Sequence, residues 1–156
     1  MELQNMIEVL ASNKKVQVLY GLEAYTLPLM LRIEQRPKVV RQIINQEKVA
    51  EFHSLTGKLV KDIITKRVEF GISFKNLITF GDTVRDIEKS NLAMLKETRM
   101  LARGLKFDLM LAVFNDIVTI TKLDPMDCFG YAVQDQVLAQ SFECMFDALW
   151  EQGTVV

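Results

Sequence analysis

The sequence predicts an all-α, single-domain bundle of five to seven helices with short connections, covering residues 1–156. Three observations predict it. Seven Gly and three Pro are too few for the many turns of a sandwich or barrel. Asp82 to Arg103 reads as one helix with both ends marked: Asp82 is an N-cap, and Gly104 follows as a residue able to adopt positive φ. Asp124-Pro125-Met126-Asp127 supplies an N-cap Asp, Pro at N1 and an acidic N3 residue, the signature of a helix start.

The elements follow in order. Glu2–Ala11 carries Leu3, Met6, Ile7 and Leu10 at helical spacing. Lys15–Tyr25 is expected to be helical, although Val16, Val18 and Tyr20 also alternate as a short strand would. Pro28 kinks or ends that helix, and Leu27–Ile33 continues as a second apolar piece. Pro37 then opens a long helix from Lys38 to Glu69, interrupted by Gly57 at a cost of about 1 kcal/mol relative to Ala. Ile72–Phe80 fits either a helical turn or an alternating strand, and helix is favoured because no partner strand is evident. Leu105–Leu123 follows the Asp82–Arg103 helix. It is apolar on most sides and is expected at the centre of the bundle. The last helix runs to about Trp150 and stops at Gly153.

Cys128 and Cys144 fall on that last helix. At about 1.5 Å rise per residue they are too far apart for a disulfide, so a reducing, cytoplasmic compartment is expected. No signal peptide is apparent. The most apolar run, Val16–Ile33, is broken by Gln17, Glu23, Thr26, Pro28 and Arg32, so no membrane span is expected.

The net charge of −1 gives no global pull toward nucleic acid or anionic lipid, but its distribution is lopsided. Residues 1–122 hold 19 basic and 14 acidic residues, a balance of +5. Residues 123–156 hold six acids and no Lys or Arg, a balance of −6. On the Asp82–Arg103 helix, Arg85, Lys89, Lys96, Arg99 and Arg103 fall on one side, with Lys106 just beyond. Such a stripe suits an acidic partner or a nucleic-acid backbone held without sequence preference. The acidic last helix presents Phe142, Met145, Phe146, Leu149 and Trp150, residue types enriched in interface cores. The expected role is therefore a non-enzymatic binding, adaptor or assembly subunit, joined to a protein partner or to a second copy of itself. Sequence-tolerant nucleic-acid binding is the alternative.

Catalytic parts are sparse. There is no Gly-x-Ser-x-Gly elbow, no Cys-x-x-Cys and no phosphate loop around Gly57-Lys58. Three Cys and His residues cannot make a four-ligand zinc site. Asp82/Asp86 and Glu143/Asp147 lack the Glu-x-x-His pairs of a di-metal bundle, so no metal or cofactor is expected. His53 is the only histidine. Its surroundings, His53-Ser54-Leu55-Thr56-Gly57, resemble the His-x-Leu-Lys-Gly motif of histidine phosphotransfer domains, with Thr56 where lysine stands in the family. That resemblance implies a phosphoacceptor His53 on a long bundle helix.

Overall fold

In the computed structural model the described residues are 15–79 and 93–156, with the side chain of His53 outside the description. They form a mixed sheet of eight strands in the order β1-β7-β6-β5-β2-β3-β4-β8, so the expected helix bundle is overturned. The strands are β1 (Val16–Tyr20), β2 (Val39–Ile44), β3 (Ser73–Ile78), β4 (Lys96–Met100), β5 (Leu109–Phe114), β6 (Ile117–Lys122), β7 (Phe129–Gln134) and β8 (Thr154–Val155). Three helices accompany them among the described residues: α1 (Leu22–Gln35), α2 (Gln46–Glu69) and α3 (Gln136–Gln152). Strands β2, β3 and β4 run parallel, and every other pairing is antiparallel.

The central strands explain the error. Leu109–Phe114 and Ile117–Lys122 are nearly continuous apolar or β-branched runs, and Val39–Ile44 is apolar at both ends around Arg41 and Gln42. A strand covered on both faces loses its polar–apolar alternation and resembles a buried helix. Leu105–Leu123 is thus mostly a hairpin. It turns at Asn115-Asp116, where Asn115 adopts φ 51°, a conformation Asn tolerates. Strand β3 has a partner after all, but a parallel one, reached across the whole length of α2. The Asp124–Asp127 start signal serves a turn: Asp124 Oδ1 accepts from the N–H of Met126 at 3.0 Å, and β7 follows. The true cap of the last helix is Asp135, whose side chain accepts from the N–H of Leu138 at 3.0 Å. Cys128 consequently precedes β7 and only Cys144 lies on α3. Residues 96–100 of the supposed Asp82–Arg103 helix are strand β4, paired to β3 along its length. Residues 82–92 of that stretch, and the Glu2–Ala11 segment, lie outside the described residues.

Strand alternation sorts the core into two layers. Ile44, Ile78 and Met110 face α1 and α2, where Tyr25 stacks on Phe52 with ring centroids 4.5 Å apart. Ile43, Leu77 and Leu111 face α3, packing with Phe146 and Trp150. Residues in register lie side by side on one face, so the side chain row Thr119, Ala112, Gln42, Asn76, Thr98 crosses five strands beneath α1 and α2.

The α3 layer absorbs the acidic end of the chain. Arg41 pairs with Glu143 at 3.3 Å and Asp147 at 3.2 Å. Trp150 is 3% exposed beneath Arg99, whose guanidinium lies 4.6 Å from the indole centroid and donates to the Trp150 carbonyl at 2.8 Å. Lys75 approaches the same ring at 5.4 Å. Of the five residues expected at a protein interface, Phe146 and Trp150 are buried in this core, Leu149 packs against it, Phe142 packs against a neighbouring cluster of Val113, Val118 and Ala139, and Met145 faces solvent. Trp150→Ala is accordingly expected to cost about 3–5 kcal/mol of stability, and Met145→Ala less than about 0.5 kcal/mol, in denaturant unfolding. Equal costs would contradict this packing.

Candidate anion-binding site

Two amides of the polar row under α1 and α2, Gln42 and Asn76, join one buried side chain. Arg32 reaches from α1 onto the sheet and is 2% exposed. Its Nη1 donates to Gln42 Oε1 on β2, and Gln42 Nε2 donates to Asn76 Oδ1 on β3 at 3.0 Å. Gln42 and Asn76 are register partners on adjacent parallel strands, which places the two amides in line. Arg32 Nε and Nη2 have no partner among the described residues. Those two N–H groups form one edge of the guanidinium, a two-donor fork that matches two oxygens of a carboxylate or phosphate. A single nitrogen of Arg99, its Nε, is in the same condition on the other side of the sheet, but the Arg99 charge is met by Glu97 at 3.8 Å and by the Trp150 ring.

Two more cations join Arg32. Arg67, in the last turn of α2, donates to the carbonyls of Ile72, at 2.7 Å, and of Met94. It thereby ties the end of α2 to the starts of β3 and β4. The Phe74 ring lies against both guanidiniums, 4.4 Å from Arg67 and 5.6 Å from Arg32. Lys96, the register partner of Phe74 on β4, adds an ammonium on the same face. The three cations line a cavity of about 180 Å³ between α1, α2 and the sheet. Among the described residues no Asp or Glu lines it.

The ionisation equilibria record the same imbalance. Burial pushes Arg32 down to about 10, with Tyr25 opposing and Arg67 adding to the shift. Burial lowers Arg67, and burial followed by the nearby Arg67 charge lowers Lys96. Burial raises the Tyr25 phenol against the pull of Arg32. Buried charges are ordinarily paired, and cations gathered without a carboxylate are costly unless an anion joins them.

The sequence reasoning found Lys96 but misread its setting. Lys96 and Arg99 are three apart on a strand, so they point to opposite faces, toward the cavity and toward Trp150. Arg103 and Lys106 lie in the segment between β4 and β5, and Arg85 and Lys89 lie outside the described residues. The continuous basic stripe is therefore broken at its C-terminal half. The backbone of His53 belongs to α2, a helix packed on a sheet, so the bundle implied by the phosphotransfer resemblance is overturned. Arg32, Gln42, Asn76 and Arg67 were missed. Arg32 left one signal, as the lone cation in the apolar stretch Leu27–Ile33.

The chain shares its fold with solved proteins. No family model matches the sequence, and no curated protein matches it either. Among solved structures, the archaeal chromatin protein TrmBL2, described with a novel mode of DNA binding, superposes with a TM-score of 0.64 at 20% identity. The match covers 98% of this chain and 60% of that one, so the chain spans less than two thirds of TrmBL2. Nuc from Salmonella typhimurium, a phospholipase D family member, gives 0.57 at 14% identity, covering 90% of this chain and 97% of Nuc. Polyphosphate kinase from Porphyromonas gingivalis gives 0.57 at 10% identity, covering 89% of this chain and 26% of the kinase. At these identities the likeness is one of fold. Among the described residues no helix is long and apolar enough to cross a membrane, and no group of three or more His, Cys, Asp or Glu is placed to hold a metal.

The buried charge has a pH signature. An Arg whose folded pKa is depressed to about 10 destabilises the fold below that pH, and the penalty is relieved as pH rises from about 10 toward the higher value of the unfolded chain. Tyr25, shifted the other way, works against this, so the informative quantity is the stability of the wild type minus that of Arg32→Met. That difference is expected to rise by about 1.4 kcal/mol per pH unit above pH 10 in denaturant unfolding. A flat difference would mean that Arg32 is not buried as a cation.

Proposed function

We propose that the chain is a binding domain for a phosphate-bearing ligand, held by Arg32, Arg67 and Lys96. The observation that carries this reading is the free Nε/Nη2 edge of a fully buried arginine, facing a cavity that holds three cations and, among the described residues, no carboxylate. A phosphate group has the charge and paired oxygens that this edge recognises. The fold neighbours support the reading: a DNA-binding chromatin protein, a phospholipase D family member and a polyphosphate kinase are all associated with phosphate chemistry.

A nucleic-acid backbone is the second reading, favoured by the DNA binding reported for TrmBL2. The geometry supports it less. Lys96 and Arg99 diverge to opposite faces, so β4 offers no continuous track for successive phosphates. A cavity of about 180 Å³ under two helices suits one phosphate group and a small remainder rather than a strand.

Calorimetric melting with inorganic phosphate, against chloride at matched ionic strength, tests the proposal. At about 100 times Kd the ligand contributes about 2.7 kcal/mol, or roughly 5–10 °C in Tm for a chain of this length. Arg32→Met and Lys96→Met are each expected to abolish or sharply reduce that rise, whereas Arg99→Met keeps it. A phosphate response identical in all four proteins would overturn the assignment to this cavity. Fluorescence anisotropy with duplex and single-stranded DNA at low salt tests the second reading. Affinity weakened by Lys96→Glu and Arg99→Glu together, with no response to free phosphate, would favour it.

A further inference from the structure

Resting on that reading, we propose that the ligand is an amphiphile: a phosphate monoester whose aliphatic tail runs from the Arg32 fork along α2 to the protein surface. Three cations line the cavity, and most of the remaining lining is apolar. Away from Arg32, Arg67 and Lys96 its wall is aliphatic, with Leu29, Val49, Ile63 and Met110. It does not stop there. Val60, Ile64 and Met94 line both this cavity and a second, more open hollow of about 550 Å³ along an adjoining flank of α2. The two spaces thus share a wall of three apolar side chains, of which Ile64 and Met94 stand beside Arg67, and the outer hollow adds Val68 and Ala93 with Lys61, Thr65 and Glu69 among its lining. A polar metabolite would leave that aliphatic path unused, whereas an alkyl chain would cover it.

Gly57 gives the outer hollow its shape. Glycine within a helix costs about 1 kcal/mol relative to Ala, and α2 tolerates it twelve residues before its end without a break. It lines the hollow, and a Cβ built on it meets nothing within 4 Å. No packing or backbone demand requires glycine there, since its φ is not among the positive ones. Its missing side chain leaves the hollow open at the end nearer the start of α2.

Isothermal titration of the full chain with inorganic phosphate and with methyl, butyl and octyl phosphate tests this. Affinity is expected to rise with chain length, by up to about fourfold for each methylene fully buried. Gly57→Leu puts a side chain into the outer hollow ten residues, or about 15 Å, along α2 from Arg67, and leucine favours the helix. It should leave inorganic and methyl phosphate unchanged and remove the gain from butyl to octyl. Phosphate binding with no dependence on tail length overturns the amphiphile and leaves the phosphate site standing. A chain-length gain that survives Gly57→Leu overturns the path along α2. Octyl phosphate and inorganic phosphate both failing to bind overturns the phosphate reading itself, and with it this one. Octanoate binding more tightly than octyl phosphate overturns the phosphate head group.

Discussion

A guanidinium held away from water beneath two helices is the constraint around which this structure is built. Arg32 has one nitrogen tied to Gln42, and through it to Asn76, while its other edge stays free in the interior. A charge of this kind shapes the sequence of the strands below it. Strands covered on both faces are ordinarily apolar throughout, yet β2 and β3 give up one inward position each to an amide. The two amides sit at the same register, so the positive charge is spread over a short chain of polarised hydrogen bonds. An aliphatic side chain at the three positions would pack without this cost, since replacing buried charges by hydrophobic residues is often neutral or stabilising. Stability alone does not account for the arrangement, which is why it reads as a site.

The opposite face of the sheet supplies the contrast that makes the argument specific. There, too, cations meet an aromatic ring, with Arg99 and Lys75 over Trp150. But acids stand beside them: Glu97 is within reach of Arg99, and Glu143 and Asp147 hold Arg41. The lopsided charge distribution along the chain is resolved at this face, at least in part, by the acidic α3 docking onto basic strand residues. These pairs are partly exposed and each contributes little, but together with Phe146 and Trp150 they fix where α3 lies. Among the described residues, the cations of the α1–α2 face have no such carboxylates in their cavity. One basic cluster closes the protein on itself, and the other is the one proposed to receive an anion.

What could be read from the sequence divides along the same physical lines. Helix α2 was legible because its amphipathic period is sustained over many turns, although its start was placed eight residues too early, across β2. The central strands were not, because complete burial erases the alternation that identifies a half-exposed strand. Strand β4, Lys-Glu-Thr-Arg-Met, misled for another reason: its residues are mostly good helix formers, and pairing with β3 overrides that preference. The site was nearly illegible. Gln42 and Asn76 lie 34 residues apart and become neighbours only when β2 and β3 are known to be parallel and in register. Lys96 was singled out for its charge, on a face that a helix would have shared with Arg99 and a strand does not.

The fold is shared with proteins whose names span DNA binding, a phospholipase D family and polyphosphate, so fold alone does not choose a function. The depth of the charge does narrow the choice. A surface that tracks a nucleic-acid backbone works with solvated cations, which release counterions and cost little to keep charged when nothing is bound. Arg32 is the reverse: it is desolvated before any ligand arrives, and its lowered pKa is the measure of that cost. Anion binding at such a fork relieves a penalty already present in the folded protein, so the interaction is stronger than the same contact made at the surface. It also demands that the anion shed its own water, which favours a ligand whose remainder gains from burial. An apolar wall leading away from the fork provides that gain, and a hydrophilic phosphate compound would forgo it.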